Sequence, residues 1–162
     1  MALPFYIVFA REVFEIGESY IGRYLLFQIG GTIISNIIWD YLSRKAGSLM
    51  VVRTCILLGG LIPVVAILTS FYGPDVFVIV FILIGFIKSG RRIGFDPYLL
   101  EIAPEGKRTV YLGVRGTLNF LIVLMPVFGG VFIDLVGFYI TFIIVSLVMF
   151  IAYKMVKGPS PK

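Results

Sequence analysis

Apolar residues run through this chain in blocks too long for the core elements of a water-soluble fold. A membrane-crossing helix needs about 20 mostly apolar residues, because a hydrocarbon core ~30 Å thick is crossed at ~1.5 Å per residue. Four blocks meet that length, at 20–42, 49–72, 110–136 and 138–156. A fifth, 75–100, is uniformly apolar through Val76–Ile87 and then carries Lys88, Arg91, Arg92 and Asp96. It reads as one long helix whose inner half is shielded by protein or lines a cavity. The opening run, 1–10, is too short to cross and is cut off by Arg11 and Glu12. It lacks a basic leader, so it is not a signal peptide; it reads as the tail of a preceding helix. The blocks are rich in Val, Ile and Phe, yet strands average five or six residues and barrel strands alternate polar with apolar over about ten. Neither pattern occurs. The prediction is an all-α integral membrane protein, a polytopic bundle of five full transmembrane helices plus the tail of a sixth.

Composition agrees. The 162 residues are 59% hydrophobic and 14% charged, with mean hydropathy +1.04, against roughly 45–50% and about 25% in soluble domains. A small fold cannot hide that much apolar surface from water. Fourteen Lys and Arg against nine Asp and Glu give +5, which in a soluble protein would point to nucleic acid. Here the charges have a different address. If the blocks alternate across the membrane, Arg44, Lys45, Arg53, Lys88, Arg91, Arg92, Lys107, Arg108, Arg115 and the lysines of the tail share one side. That side then holds twelve of the fourteen cations, and only Arg11 and Arg23 lie opposite. The positive-inside rule makes that side, and the C-terminus, cytoplasmic. The expected location is a plasma or inner cell membrane, with the lipid bilayer as partner and no nucleic acid.

The blocks differ in kind. Thr54–Tyr72 and Phe138–Tyr153 contain no charged residue; the others carry Gln28 and Asn36, then Lys88, Arg91 and Arg92, then Arg115, Asn119 and Asp134. An ionisable group at the bilayer centre costs roughly 2.5–3.5 kcal/mol on insertion scales, so such helices face a bundle interior or a wet cavity. Counting the opening remnant as the first of six helices, the dry ones are the third and sixth. A lined path with peripheral supports follows, hence a transporter or channel. Lys88 lies about 18 Å in from Val76 at ~1.5 Å per residue, past mid-membrane. It either contacts an anionic substrate or snorkels to the inner surface, as Arg91 and Arg92 also can. Gln28, Asn36 and Asn119 are the other candidates along the path, and Gln28 and Asn119 are equally able to bond a neighbouring helix. Glycine pairs at 30–31, 59–60 and 129–130 permit close helix approach, and Pro63 and Pro126 sit mid-span. With no histidine and one cysteine, Cys55, the chain has no expected metal site or cofactor, and nucleophilic chemistry lacks its base.

Three stretches carry a family resemblance. Asn36–Gly47 (NIIWDYLSRKAG) resembles the cytoplasmic loop signature G-x-x-x-D-[RK]-x-G-[RK]-[RK] of the major facilitator superfamily. Asp40, Arg44 and Lys45 match it, while Asn36, Tyr41 and Ser43 replace a glycine, a basic residue and a second glycine. Such a decayed copy is typical of the loop between the eighth and ninth helices of these carriers. Pro97–Gly113 (PYLLEIAPEGKRTVYLG) is similar to the loop between the tenth and eleventh helices, and Pro126–Gly137 (PVFGGVFIDLVG) to the end of the eleventh and its tight outer turn. The opening Leu3–Tyr6 would then be the last turns of the seventh. The resemblance covers essentially the whole chain as a C-terminal half, and it accounts for the two dry helices, since the ninth and twelfth are peripheral in that fold.

The resemblance implies a twelve-helix carrier working by alternating access, with a small solute held between two six-helix halves. It also implies that Asp40 joins Arg44, Arg92 or Arg108 in a cytoplasmic charge network that holds the inner gate in one state and breaks in the other. The N-terminal half would be a separate or missing part, so the chain by itself is expected not to transport. The basic interior leans toward an anionic solute. No carboxylate sits at mid-membrane, so a proton-coupling acid would belong to the other half or be Asp134. Two alternatives stand beside this reading. One is a small helical membrane protein serving as an accessory or oligomeric subunit. The other is a membrane-embedded lipid-modifying enzyme, which needs clustered acids, whereas Asp40, Asp96, Glu101 and Glu105 are scattered. The expectation is not an enzyme.

Overall fold

The computed structural model describes residues 3–104 and 106–156, apart from the side chains of 119, 121 and 122. Among them are five helices and no strand: α1 Leu3–Phe14, α2 Glu18–Thr69, α3 Pro74–Ile102, α4 Arg108–Val136 and α5 Phe138–Met155. Three of these, α2, α4 and α5, are long and apolar enough to cross a membrane. At 29 residues α3 is as long as α4, but Asp75, Lys88, Arg91 and Arg92 interrupt its apolar run.

Two boundaries differ from the sequence reading. α1 continues through Arg11 and Glu12 to Phe14; charges in a last turn can reach water while the helix persists, and a cation there suits the helix dipole. Arg11 also lies 3.9 Å from Glu18 at the start of α2. The expected loop between 42 and 49 shrinks to one residue. Gly47, at φ 80° and ψ 167°, is the single non-helical position within Glu18–Thr69, and it folds α2 into two arms. That backbone lies in the left-handed half of conformational space, where a Cβ is strained. Pro63, inside the second arm, leaves the helix unbroken, because lost backbone bonds in membrane helices are readily compensated by neighbours.

α3 is clamped by both arms. It runs parallel to the first, where Arg23 meets Asp75 at 2.6 Å and Tyr24 donates to the Pro74 carbonyl at 2.8 Å. Lower down, Ser89 donates to Asn36 Oδ1 at 2.5 Å and Trp39 Nε1 to the Phe86 carbonyl at 2.8 Å. It runs antiparallel to the second arm, where Gly94 faces Val51 and Gly90 faces Cys55, with Trp39 of the first arm beside it. α5 lies along the second arm, tied by Ser146 Oγ to the Gly60 carbonyl at 2.7 Å and by Arg53 Nε to the Val156 carbonyl at 2.9 Å. α1 is held by rings. Phe9 packs against Phe77, Phe138 and Phe142, with centroids 5.1–5.8 Å apart, and is 1% exposed. α4 stands apart, exposed along most of its length.

Trp39, 2% exposed, is the largest side chain in the lower α2–α3 seam. Trp39→Ala is expected to cost about 3 kcal/mol through the cavity it leaves. Trp39→Phe should cost nearer the ~1 kcal/mol of a lost hydrogen bond. The check is the SDS fraction that unfolds the purified chain in mixed micelles; equal midpoints for the two variants would contradict it.

Candidate functional site: a basic slot between α3 and α4

The gap left by α4 is a cavity of about 1630 Å³. Its α3 wall is one helical stripe, Ile84, Lys88, Arg91, Arg92, Phe95, Asp96 and Leu99 among its members, at the spacing of three and four that keeps residues on one face. Its α4 wall is a second such stripe with Tyr111, Val114, Arg115 and Leu118. Gln28, Ile56 and Ile62 of α2 and Val145 and Met149 of α5 close the back.

Electrostatics divide the slot. Toward the end that holds Leu99 and Tyr111, Asp96 Oδ1 is sealed from solvent and pairs with Arg115 Nη1. This is the single ion pair between α3 and α4 among the described residues. Above it, Lys88, Arg91 and Arg92 line the slot without an acidic partner among the described residues. Arg91 stands 5.8 Å from the ring centroid of Phe95, a contact that orients a guanidinium. Counting Arg115 and Asp96, four cations face one anion.

Some residues singled out from the sequence meet here and others do not. Lys88, Arg92 and Gln28 line the slot, and Gln28 is 7% exposed. Asn36 is outside it, accepting from Ser89 across the α2–α3 seam, so its polarity serves helix association. Asn119 lies on α4, and its side chain is outside the described residues. Asp40 pairs with Arg44 at 2.7 Å, one turn on within α2 and largely exposed. Such a pair is worth about 0.3–0.5 kcal/mol and links no two helices. Neither Arg92 nor Arg108 is paired with Asp40, and Arg108 is exposed at the start of α4. The acids are separately engaged: Asp40 with Arg44, Asp96 with Arg115, and Glu101 as acceptor from Ser48 at 2.5 Å. Sequence reasoning missed the Asp96–Arg115 pair. Its signal was Asp96 at four and eight residues from Arg92 and Lys88, on the same stripe.

The family model of the Major Facilitator Superfamily matches residues 1–161. The chain belongs to the major facilitator superfamily. Its members are membrane transporters, and this chain is accordingly a multi-pass helical membrane protein of transporter type. No curated protein and no solved structure gives a significant match to it. The largely apolar second arm of α2 and α5 form the back of the slot, and the charged side chains that line it come from α3 and α4.

Proposed function

We propose that the chain forms one half of a secondary transporter that moves a small solute by alternating access, the other side of the path being supplied by a second six-helix half. The observation that carries this reading is the slot: a cavity of about 1630 Å³ between helices, with Lys88, Arg91 and Arg92 facing it. Cations within a membrane bundle are expensive unless a cavity, water or a counter-ion meets them. Large apolar side chains also stand open on the first arm of α2 and on α4, among them Ile37 at 76% and Leu135 at 77% exposure, surface suited to lipid and to a second half. An anionic solute fits the charge of the slot.

The C-terminus lies on the cytoplasmic side of the cell membrane in this reading. Supporting it, Arg44, Lys45, Arg53, Lys107, Arg108 and Lys154 gather at the end where Ser48 meets Glu101 and Arg53 meets Val156. Asp40, Arg44, Arg92 and Arg108 belong to a charge layer at this inner end that exchanges partners as the gate opens. The test is uptake into vesicles. The chain alone is expected to show none, because one half cannot expose a site alternately to two sides. Co-expression with the reading frame that encodes the complementary six helices is expected to restore it. Uptake by the chain alone would overturn the two-half reading.

A further inference from the structure

Lys88, Arg91 and Arg92 are separated by three and four residues, so they share one face of α3 and present their charges together to the slot. The acid nearest to them, Asp96, is already occupied by Arg115 on α4. The protein therefore builds a cluster of three cations on the slot wall and provides no acidic partner for it among the described residues. Two of the three are arginines, whose planar forks match carboxylate and phosphate oxygens, and Arg91 is set over Phe95.

The rest of the slot has the opposite character. Beyond the cations the wall is Ile56, Ile62, Ile84, Ile87 and Met149. Farther on, a second pocket of about 210 Å³, almost wholly apolar, shares Tyr6, Met125 and Val145 with the slot. The combined space exceeds the about 300–1,000 Å³ of ordinary small-molecule sites. A compact inorganic anion would satisfy the cations and leave the apolar walls against water. A neutral amphiphile would fill the walls and leave three cations without a partner. Only an occupant with both parts satisfies both regions.

We propose that the slot takes an amphipathic anion, a carboxylate or phosphate head on an extended apolar body. The head lies against Lys88, Arg91 and Arg92 and the body runs along α3 toward Met125 and Val145. This rests on the carrier reading and names the class of its ligand. The head comes either from a free solute or from a membrane lipid, and the chemistry is the same.

The test uses the purified full chain in phosphatidylcholine nanodiscs, with bound ligand counted by native mass spectrometry. Dodecyl phosphate is expected to bind at one per chain, about tenfold or more tighter than dodecanol, dodecyltrimethylammonium or inorganic phosphate, a tenfold step being ~1.4 kcal/mol. The combined variant Lys88→Gln, Arg91→Gln, Arg92→Gln is expected to lose that preference. Lys45→Gln, Lys107→Gln, Lys154→Gln, with the same change in net charge but off the slot, is expected to keep it. Competition by added phosphatidylglycerol identifies a lipid headgroup as the source, and its absence a free solute; both support the class. Equal binding of dodecanol and dodecyl phosphate by the unmodified chain overturns the proposal, as does equal binding of inorganic phosphate, and both comparisons stand whether or not a variant folds. Head-dependent binding without uptake by the assembled halves would retain the ligand class and remove the carrier reading.

Discussion

Gly85→Ala is expected to unseat α3 from α2 and to destabilise the bundle by about 3 kcal/mol, the upper end of the usual range for overpacking. A Cβ at this position would meet the Gln28 carbonyl oxygen and the Thr32 backbone nitrogen. Those are main-chain atoms of a helix, which cannot turn aside as a side chain does. Three residues earlier on α3 the same crossing is close from the other side, since a Cβ on Gly31 would lie 2.7 Å from the Ile82 carbonyl oxygen. The two backbones touch, as small residues in membrane helices allow, and Thr32 Oγ1 donates to the Gln28 and Gly85 carbonyls at 2.9 and 3.3 Å. In SDS titration of the purified chain the unfolding midpoint should fall sharply for Gly85→Ala. It should stay unchanged for Gly22→Ala and Gly30→Ala, where an added Cβ meets nothing within 4 Å. Equal midpoints for all three would show that the crossing is looser than its geometry.

The second large effect is expected at Asp96. α4 is the least packed of the helices, and the Asp96–Arg115 pair is its one ionic tie to α3 among the described residues. Exposed pairs contribute at most about 1 kcal/mol, while breaking a buried one costs about 3–5. With side chains 41% and 37% exposed around a sealed Oδ1, this pair falls between, at about 2 kcal/mol, or ~30-fold in the equilibrium between α4 docked and α4 released. Asp96→Asn also adds an uncompensated positive charge to a slot that already holds a surplus. Spin labels at Leu99→Cys and Val110→Cys, in a Cys55→Ser background, should report a broadened and longer distance distribution in Asp96→Asn. The exchange Asp96→Arg with Arg115→Asp should return it toward the original. An unaltered distribution in Asp96→Asn would mean that packing alone holds α4.

Much of the architecture was legible because membrane burial writes itself into sequence as long apolar blocks. The helical blocks, the concentration of cations at one end and the family signature around Asp40, Arg44 and Lys45 are local or nearly local features. The site was legible in part. Lys88 and Arg92 announced themselves as charges inside an apolar block, and they face the slot. Asn36 carried the same signal, a polar residue at bilayer depth, yet it bonds Ser89 on the neighbouring helix. A polar side chain within a span states only that a partner exists. The distinction between a helix partner and a ligand depends on which way the face turns, and neighbouring helices set that.

By itself the sequence determined the class of fold, its family and the long apolar blocks that become helices. These follow from the cost of exposing peptide groups and charges to hydrocarbon, a cost each segment meets on its own. Only the tertiary structure decided the rest. It reduced the loop at 42–49 to a single glycine, Gly47, in a backbone conformation that a side chain would strain. It placed Gly31 and Gly85, 54 positions apart, at one backbone crossing, and joined Asp96 to Arg115 while leaving Lys88, Arg91 and Arg92 to the slot. Those are pairings between distant positions, and a hydropathy pattern sets how deep a residue lies without setting which helix it meets there.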